Sequence, residues 1–101
     1  NNLICIVDWN KGQNDGYTED FSIIYENLEE RISSFGWDTR LIDGHNMEKI
    51  SDELSDIGNK PVCLILDTVK GKGVSFMEHP SWHCKVPTDV EYEMAMKELG
   101  V

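Results

Sequence analysis

The chain has 101 residues, room for one small domain with a modest core. Its 40% apolar share, with three Trp, three Tyr and three Phe, describes a globular chain rather than a disordered one. Nineteen acidic residues against nine basic ones leave a net charge of -10, which repels a phosphate backbone and argues against nucleic-acid binding. In that field a phosphorylated ligand needs a metal ion or a local nest of backbone donors.

Cys5, Cys63 and Cys84 form no CxxC pair and no even count. Cys5 and Cys63 sit in apolar runs and read as small buried thiols. No disulfide framework is implied, so a reducing, cytoplasmic compartment is expected. No signal peptide is evident, and no apolar run approaches the roughly 18 residues of a membrane span, so none is expected. The chain opens on Asn1-Asn2 and enters an apolar run at once, which reads as a piece beginning in mid-domain.

Leu3 to Val7 is short, apolar and β-branched, which predicts a buried strand. Asp8 to Asp20 is a polar stretch broken by Gly12 and Gly16. Phe21, Ile24, Leu28, Ile32 and Phe35 recur at helical spacing, and Gly36 suits the end of that helix. Trp37 to Ile42 reads as a second strand, followed by a turn at Asp43-Gly44. Asn46 is a candidate N-cap for a helix whose inner stripe is Met47, Ile50, Leu54 and Ile57, closed by Gly58. Val62 to Leu66 is a third strand, apolar on both faces. A long Gly-containing segment covers residues 70 to 87, and Thr88-Asp-Val-Glu91 is a capping box opening a last helix through Leu99.

The fold class is therefore α/β, a parallel sheet with flanking helices in the order β-α-β-α-β-α. Ligands of such sheets sit beyond the carboxyl ends of the strands. Residues 8 to 20 and 70 to 87 leave the ends of the first and third strands and are expected to form one composite site. The acidic helix faces read as solvated surface.

Asn10, three residues past the first strand, carries an amide oxygen suited to a hard cation such as magnesium. The Gly12 carbonyl, two residues on, adds a second oxygen donor. Two such ligands supply part of an octahedral shell, not all of it. The plain alternative is a loop in which Asn and Gly accommodate turns. His83 carries an imidazole able to donate to a phosphate or an oxyanion, or else is a solvated loop side chain. His45 reads as structural and His79 as loop surface. Lys70, Lys72 and Lys85 cluster near His83, where they can attract a sugar phosphate or simply face water.

Ile6-Val7-Asp8-Trp9-Asn10 with Asp15-Gly16 resembles the second half of the thiamine-diphosphate fingerprint of transketolases. Phe35-Gly36-Trp37 and Asp43-Gly44-His45-Asn46 are similar to further family segments. Lys70 to Glu78 and Trp82-His83-Cys84-Lys85-Val86-Pro87 together are similar to a fourth, the segment ending in the family's active-site His. Four weak matches in the family's order cover nearly the whole chain. The resemblance implies the C-terminal half of a diphosphate-binding domain over residues 1–101. It implies that Asn10 and Gly12 hold a magnesium or calcium ion on thiamine diphosphate, and that His83 reaches cofactor and substrate. Gly12 stands where the family carries a bulkier apolar residue, and Cys84 where it commonly has Gly.

The family's Gly-Asp-Gly motif is absent, and so is the pyrimidine-binding domain that activates the cofactor. The resemblance to split transketolases thus implies companion chains, a hetero-oligomer with a dimeric core. The expected activity is transfer of a two-carbon ketol unit between sugar phosphates or related aldehydes. A deoxyxylulose-phosphate synthase-like enzyme and a non-catalytic scaffold of such an assembly are the alternatives. A flavodoxin-like domain is a third, weakened by the lack of a phosphate-binding Gly-rich turn after the first strand.

Overall fold

The computed structural model describes residues 2–14, 16–21 and 27–101. The expected Ile24 position of the first helical stripe lies outside the described residues. The chain divides into two compact units, Asn1–Asn10 with Ile23–Thr68, and Lys11–Ser22 with Val69–Val101.

The first unit is built on β1 (Ile4–Trp9), β4 (Asp38–Asp43) and β5 (Val62–Asp67), while the short β2 (Gly12–Gln13) and β3 (Gly16–Tyr17) belong to the second. The order across the sheet is β1-β5-β4, with β5 parallel to both neighbours. The last strand in sequence takes the central position because Val62, Cys63, Leu64 and Ile65 can be buried on both faces, each at 0–1% exposure. The α/β reading and its parallel sheet hold.

The first strand departs from its expected burial. Ile4 and Ile6 are 37% and 54% exposed, while Cys5, Val7 and Trp9 on the other face are half-buried. β1 is an edge strand, and the described residues cover that face only in part. Leu41 of β4, at 51%, is similarly open.

α2 (Leu28–Ser34) ends where Gly36 takes φ 90°, the left-handed value expected of a glycine there. Phe35 does not join the inner stripe. It caps the helix end and is 83% exposed, whereas Leu28 and Ile32 are half-buried. α3 (Met47–Ser55) starts as expected, with Asn46 Oδ1 accepting from Lys49 N at 2.9 Å. Ile50 and Leu54 face inward, but Met47 is 67% exposed. The helix stops at Ser55, before Gly58, and Ile57 lies beyond it.

The second unit begins with the hairpin of β2 and β3, two residues a strand and too short for periodicity to reveal. α1 (Thr18–Phe21) follows, its first residue tied back by Thr18 N and Oγ1 donating to the Lys11 carbonyl at 2.9 and 3.2 Å. Two 3-10 turns, Ser75–Met77 and Pro80–Trp82, precede α4 (Asp89–Leu99). The capping box is present in full: Glu91 N donates to Thr88 Oγ1 and Thr88 N to Glu91 Oε2. Glu98 binds the first 3-10 turn twice, accepting from Ser75 N at 2.5 Å and from Ser75 Oγ at 2.8 Å. Val74, Pro80 and Ala95 are buried among the described residues of this unit, while Val90, Tyr92, Met94 and Leu99 of α4 are exposed. Among the described residues no helix is long and apolar enough to cross a membrane.

Candidate functional site

Parallel pairing in register brings the carboxyl ends of all three strands of the first unit to one edge. Trp9 and Asp43 both stand opposite Asp67. Two backbone bonds carry the pairing past the strands, Thr68 N to Trp9 O at 3.2 Å and Gly44 N to Asp67 O at 2.8 Å. Asn10 follows directly, half-buried, with Nδ2 donating to Asp8 Oδ2 at 3.5 Å. The other oxygen of Asp8 accepts from the Thr68 hydroxyl. Gly44 fits closely beneath: a Cβ there would collide with the Thr68 methyl and lie 2.8 Å from Leu66 Cβ. His45 N donates to Asp43 Oδ1 at 2.9 Å, so this histidine belongs to the turn that leads into the Asn46 cap.

Gly12 and His83 belong to the second unit. Gly12 follows Lys11, whose φ of 58° is left-handed, and pairs with Tyr17. The Tyr17 ring meets His79 edge-on at 5.2 Å between centroids. His79 in turn caps the second 3-10 turn, Nδ1 accepting from Ser81 N at 3.1 Å and lying 2.9 Å from Ser81 Oγ. His79 is thus more than loop surface, because it fastens the hairpin carrying Gly12 to the segment carrying His83.

His83 closes that turn, its N donating to Pro80 O at 2.8 Å, and its side chain is exposed. The residues around it are held. Trp82 lies against Phe76 at 5.4 Å between rings, and Lys85 Nζ sits 3.8 Å from the Trp82 ring centroid. Lys85 also pairs with Glu91 at 3.3 Å. Glu91 is held well below the usual carboxylate range, first by the Thr88 N–H, then by the Thr88 hydroxyl and Lys85. Of the three lysines expected near His83, Lys85 is therefore engaged by Trp82 of its own loop and by Glu91 of α4. Cys84 takes φ 63°, a left-handed conformation that glycine adopts more readily than cysteine. Asp8 lies inside the fingerprint-like run, but Thr68 and Tyr17 carry no motif that marks them in sequence, because their partners lie far along the chain or on a two-residue strand.

These features define a parallel α/β chain with polar segments leaving its carboxyl strand ends. No family model matches the chain. It is 41% identical to an apulose-4-phosphate transketolase subunit of Phocaeicola vulgatus, covering 98% of this chain and 36% of that protein. It is also 41% identical to the 6-deoxy-6-sulfo-D-fructose transketolase subunit SqwG of Clostridium sp., over 96% of this chain and 36% of that one. Its fold matches the crystal structure of Campylobacter jejuni transketolase with a TM-score of 0.80 and 25% identity, over 98% of this chain and 16% of that one. The chain belongs to the transketolase family, and spans about a third of the length of the transketolase subunits it matches.

Proposed function

We propose that this chain is the C-terminal part of the diphosphate-binding domain in a split, thiamine-diphosphate-dependent transketolase. The assembly transfers a two-carbon ketol unit between sugar phosphates or related aldehydes in the cytoplasm. What carries the reading is the match to the apulose-4-phosphate transketolase subunit over nearly all of this chain, together with an amide ligand, Asn10, immediately past the end of β1. The relatives' names point to a phosphorylated or sulfonated sugar as the substrate class.

The donors fit the implied metal. An amide oxygen at Asn10 and a backbone carbonyl at Gly12 are hard oxygen ligands, suited to magnesium or calcium rather than to zinc. Among the described residues, no three His, Cys, Asp or Glu side chains could hold a metal between them. The remaining ligands in this reading are diphosphate oxygens and a companion carboxylate. Bound thiamine diphosphate supplies the carbanion chemistry. This chain's own residues bind and orient. Asn10 and Gly12 anchor the metal that offsets the -10 charge against a diphosphate. His83, exposed at the end of its turn, donates a hydrogen bond to the diphosphate or to developing oxyanion charge.

The unpaired edge of β1 supports a companion chain or preceding segment that completes the sheet, and the open Ile4 and Ile6 face supports a layer packed on it. The test titrates thiamine diphosphate and magnesium against this chain alone and against the complete assembly, following Trp fluorescence. Saturable, metal-dependent binding is expected only in the assembly, and Asn10→Ala removes it. Unchanged cofactor binding by Asn10→Ala would overturn the metal assignment.

A further inference from the structure

We propose that Asp8 and Thr68, backed by Gly44, are positioning residues that set the orientation of the Asn10 side chain. The proposal rests on the reading of Asn10 as a metal ligand. An asparagine amide presents either its oxygen or its nitrogen after a half-turn of its last torsion, and only the oxygen binds a cation. An ionised carboxylate is acceptor-only, so Asp8 Oδ2 at 3.5 Å draws Asn10 Nδ2 and repels Oδ1. The carboxylate therefore selects the rotation in which the oxygen points away from Asp8.

Asp8 can do this only if its own rotation is fixed. Thr68, sixty positions along the chain at the end of the neighbouring strand, donates its hydroxyl to Asp8 Oδ1. Thr68 is fixed in its turn. Its N donates to Trp9 O at 3.2 Å, and its methyl fills the space left by the missing Cβ of Gly44. That contact, added to the stiffness of a β-branched side chain, restricts its χ1. The ends of all three parallel strands thus contribute to one side-chain orientation, and the Asp43-Gly44 turn gains a reason to contain glycine. Outer partners of this kind tune metal affinity about 10- to 100-fold.

The test is made in the complete assembly carrying this chain, with saturating thiamine diphosphate. Manganese(II) affinity is read from the spin-resonance signal of the free ion, and folding from circular dichroism. Thr68→Val, which keeps shape but loses the hydroxyl, is expected to weaken manganese binding about tenfold or more. Thr68→Ser restores it to within about threefold, because the hydroxyl returns. Asp8→Asn weakens it as well, since Thr68 and Asn10 donate to different oxygens of Asp8 and one of those positions becomes an NH2 group that cannot accept. If Thr68→Val does not fold, the Asp8→Asn and Thr68→Ser pair decides the same question. Wild-type affinity in Thr68→Val or Asp8→Asn, with loss in Asn10→Ala, overturns the positioning role and leaves the metal assignment standing. A Thr68→Ser protein as weak as Thr68→Val also overturns it, since the methyl and not the hydroxyl would then matter. Unchanged affinity in Asn10→Ala removes the assignment itself.

Discussion

Arg40 on β4 grips Glu53 on α3 at two points. Nη1 donates to the Glu53 carboxylate at 2.7 Å and to the Glu53 carbonyl at 3.2 Å. Nη2 donates to Asp38 at 2.6 Å and to the Asp56 carbonyl at 2.8 Å. One guanidinium thereby ties a strand to the last turn of a helix and satisfies two carbonyls there. Its pKa is raised, first by the Asp38 hydrogen bond and then by Glu53. Arg40→Met keeps the aliphatic stem but removes the fork, and is expected to cost about 1–3 kcal/mol in urea unfolding. Arg40→Lys recovers only part of that, because an ammonium cannot reproduce the planar geometry. Equal stability of Arg40→Met and wild type would show the network to be neutral.

The same contacts set the acid limit of the fold. Asp38 is lowered by the Arg40 hydrogen bond, and Glu53 by Lys49 first and Arg40 second. Glu98 is lowered by the Ser75 backbone N–H, then by its hydroxyl. Each of these carboxyls binds a proton less readily folded than unfolded. Their stabilisation is complete above the ordinary values of 3.8 for Asp and 4.5 for Glu, and is lost as pH falls through the lower folded values. Stability is therefore expected to be flat from about pH 7 to about pH 5 and to drop steeply below about pH 4. Glu98→Gln should flatten part of that slope. Urea midpoints measured across this range check it, and an unchanged midpoint at about pH 3 contradicts it.

Local signals carried much of the fold. The apolar runs at Val7 and Val62, the Asn46 cap and the Thr88–Glu91 box are all read from residues within a few positions of each other. What the local pattern missed is what depends on distant neighbours. Ile4 and Ile6 have the composition of a buried strand, yet exposure of an edge strand depends on what lies beside it. Placement of β5 between β1 and β4 is a choice of topology that no single segment encodes. Phe35 keeps helical spacing but falls one residue past the helix end. At the candidate site, Asn10 and His83 stood out by residue type and by resemblance. The pairing of Asp8 with Thr68 did not, because a carboxylate and a hydroxyl sixty residues apart have no sequence pattern to join them. The Cys84 substitution was visible in sequence, but its backbone consequence was not.

That consequence is measurable. A residue with a Cβ held at φ 63° costs about 1–2 kcal/mol relative to a right-handed conformation. Glycine relieves this but adds freedom to the unfolded chain, worth about 0.4–1 kcal/mol in the other direction. Cys84→Gly is therefore expected to stabilise the protein slightly, by about 0.5 kcal/mol. Cys84→Val, β-branched at the same φ, should destabilise it. Urea unfolding of the three proteins gives the order. A Cys84→Gly protein less stable than wild type would mean that the thiol makes contacts outweighing the backbone term.

The three cysteines should also separate by reactivity, since the thiolate is the attacking species. Cys84 is exposed, Cys5 half-buried and Cys63 buried. Burial pushes the Cys63 thiol up to about 11, with Cys5, its cross-strand neighbour in register, adding to the effect. At about pH 8 only about one in a thousand Cys63 side chains is then ionised, and burial in the central strand shields even those. Brief alkylation of the native protein, located by peptide mass spectrometry, is expected to label Cys84 first. Cys63 is expected to react only after denaturant opens the sheet. Raising the pH toward about 10 should accelerate any residual Cys63 labelling about tenfold per unit, because ionisation of that thiol is still far from complete there. Labelling of Cys63 as fast as Cys84 under native conditions would show that the central strand opens readily, and would contradict the burial on which the sheet order rests.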